Sequence, residues 1–205
     1  MDAKTTFLNL KEARQEEIRL VALEEFSRYT YTEASLSRIV QSLGLAKGSF
    51  YRYFNGKKEL YLYLLDYCFA FRLQNEKQIL DGSIPDFFDM LEANIAARMR
   101  FGLAYPLHMA FMNRALEEKT DTELGNLSAM LEDKILTQIE AILKFPAYQN
   151  QFTSTVPNNV VVFSIYQMNR GIYQYLQKFP PANDEAVISV ARSFIHVLKN
   201  GIKNI

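Results

Sequence analysis

Apolar residues recur along this chain at helical spacing. Ile18, Ala22 and Phe26 return every fourth position, with Val21 beside them, and predict a helix from about Lys11 to Tyr29. Leu36, Ile39, Val40 and Leu43 fall at i, i+3, i+4 and i+7, one face of a short second helix from about Ser35 to Leu43. The Ser35 hydroxyl is placed to accept a bond from an otherwise unpaired N–H at the helix start. Gly44 fits the left-handed position that ends a helix. A third helix is expected from about Ala46 to Tyr53. After a break at Asn55-Gly56, a fourth follows from about Lys57 to Leu80.

The remaining periodic segments are bounded by proline or glycine. They predict helices over about Pro85 to Tyr105, Pro106 to Lys119, Thr122 to Phe145, Pro157 to Phe179 and Asn183 to Ile202. The polar stretch Ala147 to Thr155 reads as a loop. Val160 to Ile165 is the best strand candidate, but the helical pattern continues past it to Tyr175. The expected fold is therefore all-α, with about nine helices. The longest near-apolar run, Leu60 to Phe71, is interrupted by Asp66 and falls short of the roughly 20 residues a bilayer span needs. Met1 to Leu10 carries Asp2 and lacks the apolar stretch of a signal peptide. No membrane association is expected, and the default location is the cytoplasm.

The 205 residues carry 23 Lys plus Arg against 23 Asp plus Glu, which excludes nucleic-acid binding through bulk positive charge. Local charge is another matter. Between Leu36 and Lys58 stand Arg38, Lys47, Arg52, Lys57 and Lys58, and no acid. The lone Cys68 cannot form an internal disulfide. His108 and His196 lie far apart, so no metal site is expected. No nucleophile-elbow, dinucleotide or zinc-protease motif occurs, so neither an enzyme activity nor a cofactor has support.

Residues 35–53 read as helix, tight glycine turn, helix, the spacing of a helix-turn-helix whose second helix enters the DNA major groove. Helices this short need a third wall, which Ile18, Ala22 and Phe26 supply. Phe50 and Phe54 would point into that core. That leaves Lys47, Ser49, Tyr51 and Arg52 less buried, with Lys47, Gly48 and Tyr51 best placed at the exposed N-terminal side. Lys47 can reach a guanine edge or a phosphate, Ser49 can donate or accept, Gly48 allows close approach, and Tyr51 and Tyr53 offer hydroxyls or ring faces. A helix start also presents free N–H groups to phosphate.

The run from Ser35-Leu36-Ser37-Arg38-Ile39-Val40 through Gly44-Leu45-Ala46-Lys47-Gly48-Ser49-Phe50-Tyr51-Arg52-Tyr53-Phe54, followed by Lys57-Lys58-Glu59-Leu60, resembles the DNA-binding domain of the TetR family of bacterial regulators. Thr30, Val40 and Ala46 depart from the usual pattern, and Ala46 makes a weaker cap. The resemblance implies phosphate contacts at Ser35, Tyr53 and Lys57 and base contacts at Lys47, Gly48, Ser49 and Tyr51. It implies a helix-turn-helix domain over residues 1–56 and a helical effector-binding and dimerisation domain over residues 57–205. The partners it implies are a palindromic double-stranded operator, a second copy of the chain and a small-molecule effector. The expected protein is a ligand-responsive transcriptional repressor. The alternative is an all-helical ligand-binding or scaffold protein whose helix-turn-helix is only structural.

The last two helices carry a seam. Val161, Ile165, Met168 and Ile172 step by 4, 3 and 4, and Ile188, Ala191, Ile195 and Leu198 by 3, 4 and 3. That spacing suits a dimer interface between helices at shallow angles, and it suits an intrachain core equally well. The middle helices are rich in aromatics and methionine. Phe101, Tyr105, His108, Met112, Tyr166 and Tyr173 are the candidates for contact with a mostly apolar or aromatic effector, with a packed core as the other reading.

Overall fold

The computed structural model describes residues 5–121, 123–152 and 155–202. Among them it contains ten helices: α1 (Thr5–Leu8), α2 (Glu12–Arg28), α3 (Leu36–Ser42), α4 (Lys47–Phe50), α5 (Lys57–Glu76), α6 (Phe87–Ala104), α7 (Pro106–Glu117), α8 (Leu127–Leu143), α9 (Asn158–Lys178) and α10 (Asp184–Ile202). Nine match the expected elements, and Val160 to Ile165 is helical, inside α9. α1 was not foreseen. α4 is half the expected length, because residues 51–53 close as turns and do not continue the helix. α8 begins later than expected. Asp121 Oδ1 accepts the N–H groups of Glu123 (2.6 Å) and Leu124 (3.2 Å), and Gly125 at φ +65° closes a turn before Asn126 receives the Ala129 N–H. Thr122, the expected start, lies outside the described residues.

The chain forms two compact units. The first joins Met1–Leu73 to Gly102–Leu131, and the second joins Gln74–Phe101 to Glu132–Ile205. In the first, Ile18, Ala22 and Phe26 of α2 are fully buried, as their fourfold spacing requires. Phe26 packs on Tyr61 of α5 (4.9 Å between ring centroids) and on Phe111 of α7 (5.9 Å). α1 lies over the end of the helix-turn-helix, with Phe7 0% exposed between Phe54 (4.9 Å) and Tyr63 (5.2 Å). Arg19, only 4% exposed, sits over the Tyr67 ring at 4.5 Å and pairs with Glu12 and Glu16. Periodicity could not reveal a buried arginine whose partners include residues more than 40 positions away.

The second unit is built around Phe87, Phe88, Met90, Leu91 and Ile95 of α6, Leu143 of α8, Val161, Ile165, Met168 and Ile172 of α9, and Ala191 and Ile195 of α10. Val161, Ile165, Met168, Ile172, Ala191 and Ile195 are buried in the chain's own core, and Leu198 packs at its margin. They join α9 to α10 and to α6. Only Ile188 is left half-buried outside that core. The large apolar side chains these helices expose lie elsewhere: Phe163 is 47% exposed and Val197 74%, with Val160, Tyr175 and Phe179 also open.

Candidate nucleic-acid interface

The helix-turn-helix is held by local interactions that the sequence specifies. Ser35 is the N-cap of α3, its hydroxyl accepting the Arg38 N–H at 3.3 Å. At the other end Gly44 has φ +62°. Its N–H donates to Gln41 O at 3.0 Å, and the Leu45 N–H donates to Val40 O at 3.1 Å. This pair of bonds closes a helix on a left-handed residue and turns the chain sharply into α4. A Cβ at Gly44 would meet no atom, so the backbone angle and not crowding calls for glycine there.

α4 then presents two faces. Phe50 and Phe54 are fully buried, their rings 5.8 Å apart, and they fix the inner face. Lys47, Gly48 and Arg52 are exposed, Tyr51 is 42% exposed, and Ser49 and Tyr53 are half-buried. Lys47 and Tyr51 thus open outward, with Ser49 partly exposed between them, on a platform that the two phenylalanines hold in place. Nothing lies near a Cβ built on Gly48, so close approach is available there. Ala46 provides no side-chain cap, as its identity requires. With only four residues, α4 has a small dipole, so the anion attraction expected of a longer helix carries little weight.

The acid-free basic stretch divides once folded. Arg38 is exposed but engaged: its guanidinium holds Glu25 with Nε at 3.0 and 3.1 Å and covers the Tyr29 ring at 4.5 Å. Burial disfavours the Glu25 carboxylate, but the Arg38 and Ser35 N–H bonds outweigh it and hold the group below the usual carboxylate range. The Ser35 N–H donates to Glu25 Oε1 at 2.6 Å, so neither that amide nor the capping hydroxyl is idle. Lys57, expected to face a phosphate, donates instead to Tyr31 O (2.6 Å), Ala34 O (3.1 Å) and Thr32 O (3.5 Å). Lys58 donates to Glu123 O. Lys47 and Arg52 remain outward, without side-chain hydrogen bonds among the described residues.

The six effector candidates fall in different units. Tyr105, His108 and Met112 belong to the first. Tyr105 and His108 meet at 5.6 Å, and Phe71 lies 4.8 Å from Tyr105 and 5.7 Å from His108. Phe101, Tyr166 and Tyr173 belong to the second, where Gln177 Nε2 donates to the Tyr173 hydroxyl at 2.6 Å. Burial pulls the His108 pKa below the ordinary histidine value. Arg114, a candidate for pairing with an anionic effector, donates to Ser27 O at 3.0 Å and ties α7 to α2.

A capped helix, a glycine turn and a second helix with a basic outer face form a helix-turn-helix within an all-helical fold. Residues 18–64 match the family model of the bacterial regulatory proteins of the tetR family. No curated protein sequence matches the chain. Among solved structures, it is similar to a TetR family transcriptional regulator from Chloroflexus aurantiacus, with 20% identity, a TM-score of 0.76 and full coverage of both chains. It is similar to SmeT, the repressor of the Stenotrophomonas maltophilia multidrug efflux pump SmeDEF, at 14% identity and a TM-score of 0.72, covering 97% of this chain and 93% of that one. It is also similar to the regulator FadR from Bacillus subtilis in complex with stearoyl-CoA, at 16% identity and a TM-score of 0.71, covering 91% and 98%. The fold of these regulators therefore extends over the whole chain.

Proposed function

We propose that the protein is a sequence-specific DNA-binding repressor that a small molecule releases from its operator. The observation that carries this reading is the outer face of α4. Lys47, Gly48, Ser49 and Tyr51 stand open above the buried Phe50 and Phe54, where a major groove can receive them. Tyr53 and Arg52 lie beside them for backbone phosphates. Residues 1–56 carry the DNA contacts in this reading, and residues 57–205 carry the effector and the dimer contact. It is the reading of a cytoplasmic regulator and not of an enzyme.

One recognition helix reads only a few base pairs, so useful affinity calls for a palindromic operator and a two-fold dimer. Ile188 and Leu198 of the seam, partly exposed, and the exposed Phe163 and Val197 of the same two helices are the candidate dimer contacts. A regulator with the same fold has been solved with stearoyl-CoA, and another represses a drug efflux pump. The acyl chain of stearoyl-CoA supports a largely apolar effector, with Tyr105, His108 and Met112 as candidate contacts in the first unit and Phe101, Tyr166 and Tyr173 as candidates in the second. The effector acts by binding better to the form whose recognition helices are wrongly spaced. Filter binding of the protein to genomic fragments at two salt concentrations tests the reading. Retention of a few fragments over the bulk, weakening with salt, is expected. Uniform or absent retention refutes it.

A further inference from the structure

Three parts of the first compact unit converge on the turn that precedes α3. Tyr31 is buried there. Its backbone N–H donates to both carboxylate oxygens of Glu118, just past the end of α7, at 3.1 Å each. Its hydroxyl donates to Glu123. Its ring meets Tyr61 of α5 edge-on at 5.2 Å, and the Lys57 ammonium lies 4.3 Å from its centroid. Thr32 donates to Asp121 Oδ2 at 3.1 Å, which pins the next residue to the same segment.

Lys57 closes the arrangement. An ammonium group has three hydrogens, and three carbonyls of residues 31, 32 and 34 surround this one. The aromatic face of Tyr31 covers a further side. To reach a phosphate, Lys57 would have to leave the three carbonyls that converge on it. The turn it closes delivers Ser35, whose hydroxyl starts α3, and α3 in turn sets α4.

We propose that Lys57 is a positioning residue and not a phosphate ligand. With Tyr31 and Glu118 it forms one clamp, which fixes the entry into the helix-turn-helix against the end of α7. The inference rests on the DNA-binding reading above and changes what Lys57 contributes to it. A phosphate ligand contributes equally to all duplexes and to the salt dependence of binding. A clamp contributes only where α3 and α4 must be correctly set.

The test compares wild type, Lys57→Ala, Glu118→Leu and the double variant. The probes are an operator fragment recovered from random duplex DNA and a scrambled duplex of the same length. Hydrogen exchange is followed at the amides of residues 31–35. Lys57→Ala should weaken operator binding roughly tenfold, within the range typical of coupling between sites. It should leave the scrambled duplex and the salt slope unchanged. Glu118→Leu should do the same, and the double variant should be no worse than either single one, as expected of parts of one device. Exchange at residues 31–35 should quicken in all three. A salt slope reduced by about 0.9 per lysine, with both duplexes weakened alike, would overturn the proposal. So would unaltered exchange in Lys57→Ala, even for a protein that binds no duplex. Failure of wild type to select any DNA would sink the regulatory reading alone. Should Glu118→Leu not fold, Tyr31→Phe removes only the hydroxyl bond to Glu123. It should give a smaller loss of the same kind, and an unchanged operator affinity there counts against the clamp.

Discussion

Replacing Phe7 by alanine should release the amino-terminal segment and weaken the whole first unit. A helix of four residues cannot persist alone, so α1 exists by docking. Ordering residues 5–10 costs about 1–2 kcal/mol each, roughly 6–12 kcal/mol in all. Opposing this, full burial of the Phe7 side chain contributes about 1.5–3 kcal/mol. Its ring pairs with Phe54, Tyr63 and Tyr53 add about 0.5–1.5 kcal/mol each. The bonds from Gln15 Nε2 to Leu8 O (3.1 Å) and Leu10 O (3.0 Å), and from Thr6 to Arg52 O, add about 0.5–1.5 kcal/mol each. Gains and costs nearly balance, and Phe7 supplies the largest favourable share. An interior phenylalanine cut to alanine costs about 3–5 kcal/mol. Here the loss stops when the segment lets go, so about 2–3 kcal/mol is expected in urea denaturation. Amide exchange at Asn9 and Leu10, whose N–H groups bond Thr5 O and Phe7 O, should become fast, and trypsin should cut after the exposed Lys11. A stability change below about 1 kcal/mol with those amides still protected would refute this account of α1.

Lys47→Ala should cost roughly 1–3 kcal/mol per half-site on the preferred operator and much less on one altered at the contacted guanine; selection from random duplexes that returns an unrelaxed consensus rules out base reading. Ile195→Asp should lower the unfolding midpoint of the protein by placing a carboxylate in the second core, whereas Val197→Asp should keep that midpoint and shift sedimentation toward monomer; a stably folded Ile195→Asp contradicts the packing. Burial pushes the Cys68 thiol up to about 12, so a thiol reagent at pH 8 should label it only after denaturation. Arg38 and the Ser35 N–H hold the folded pKa of Glu25 below its unfolded value, so its stabilising contribution is complete above the ordinary carboxylate range and is lost as pH falls through the folded value. The stability advantage of wild type over Glu25→Gln, followed by urea titration, should vanish in acid, and a constant difference would show that the pair is not the cause.

The helix-turn-helix was legible because its signals are local. Ser35 and Gly44 announce both ends of α3, and Phe50 and Phe54 announce the buried face of α4, all within one short segment. What escaped depends on partners distant in sequence. Arg38 faces Glu25, and Lys57 faces carbonyls more than 20 residues earlier, so neither reads as engaged in a linear scan for basic residues. α1 escaped for a different reason, since four residues are too few to show a period. The stripe on α9 and α10 is legible, but its neighbour is not. Steps of 3 and 4 describe a stripe that meets another helix, and they do not say whether that helix belongs to the same chain.

The first compact unit draws on two stretches of chain, and this bears on how the protein is made. When synthesis has reached Leu73, all three helices of the reading head exist, yet Phe26 and Tyr61 still lack Phe111, and the Tyr31 N–H still lacks Glu118. The head is completed only by residues that follow an excursion through the second unit. A product cut short before α7 therefore shows bare aromatic surface, and such surface invites aggregation and degradation. In the proposed regulator, a chain truncated before α7 would therefore be removed before it could occupy an operator without answering to an effector.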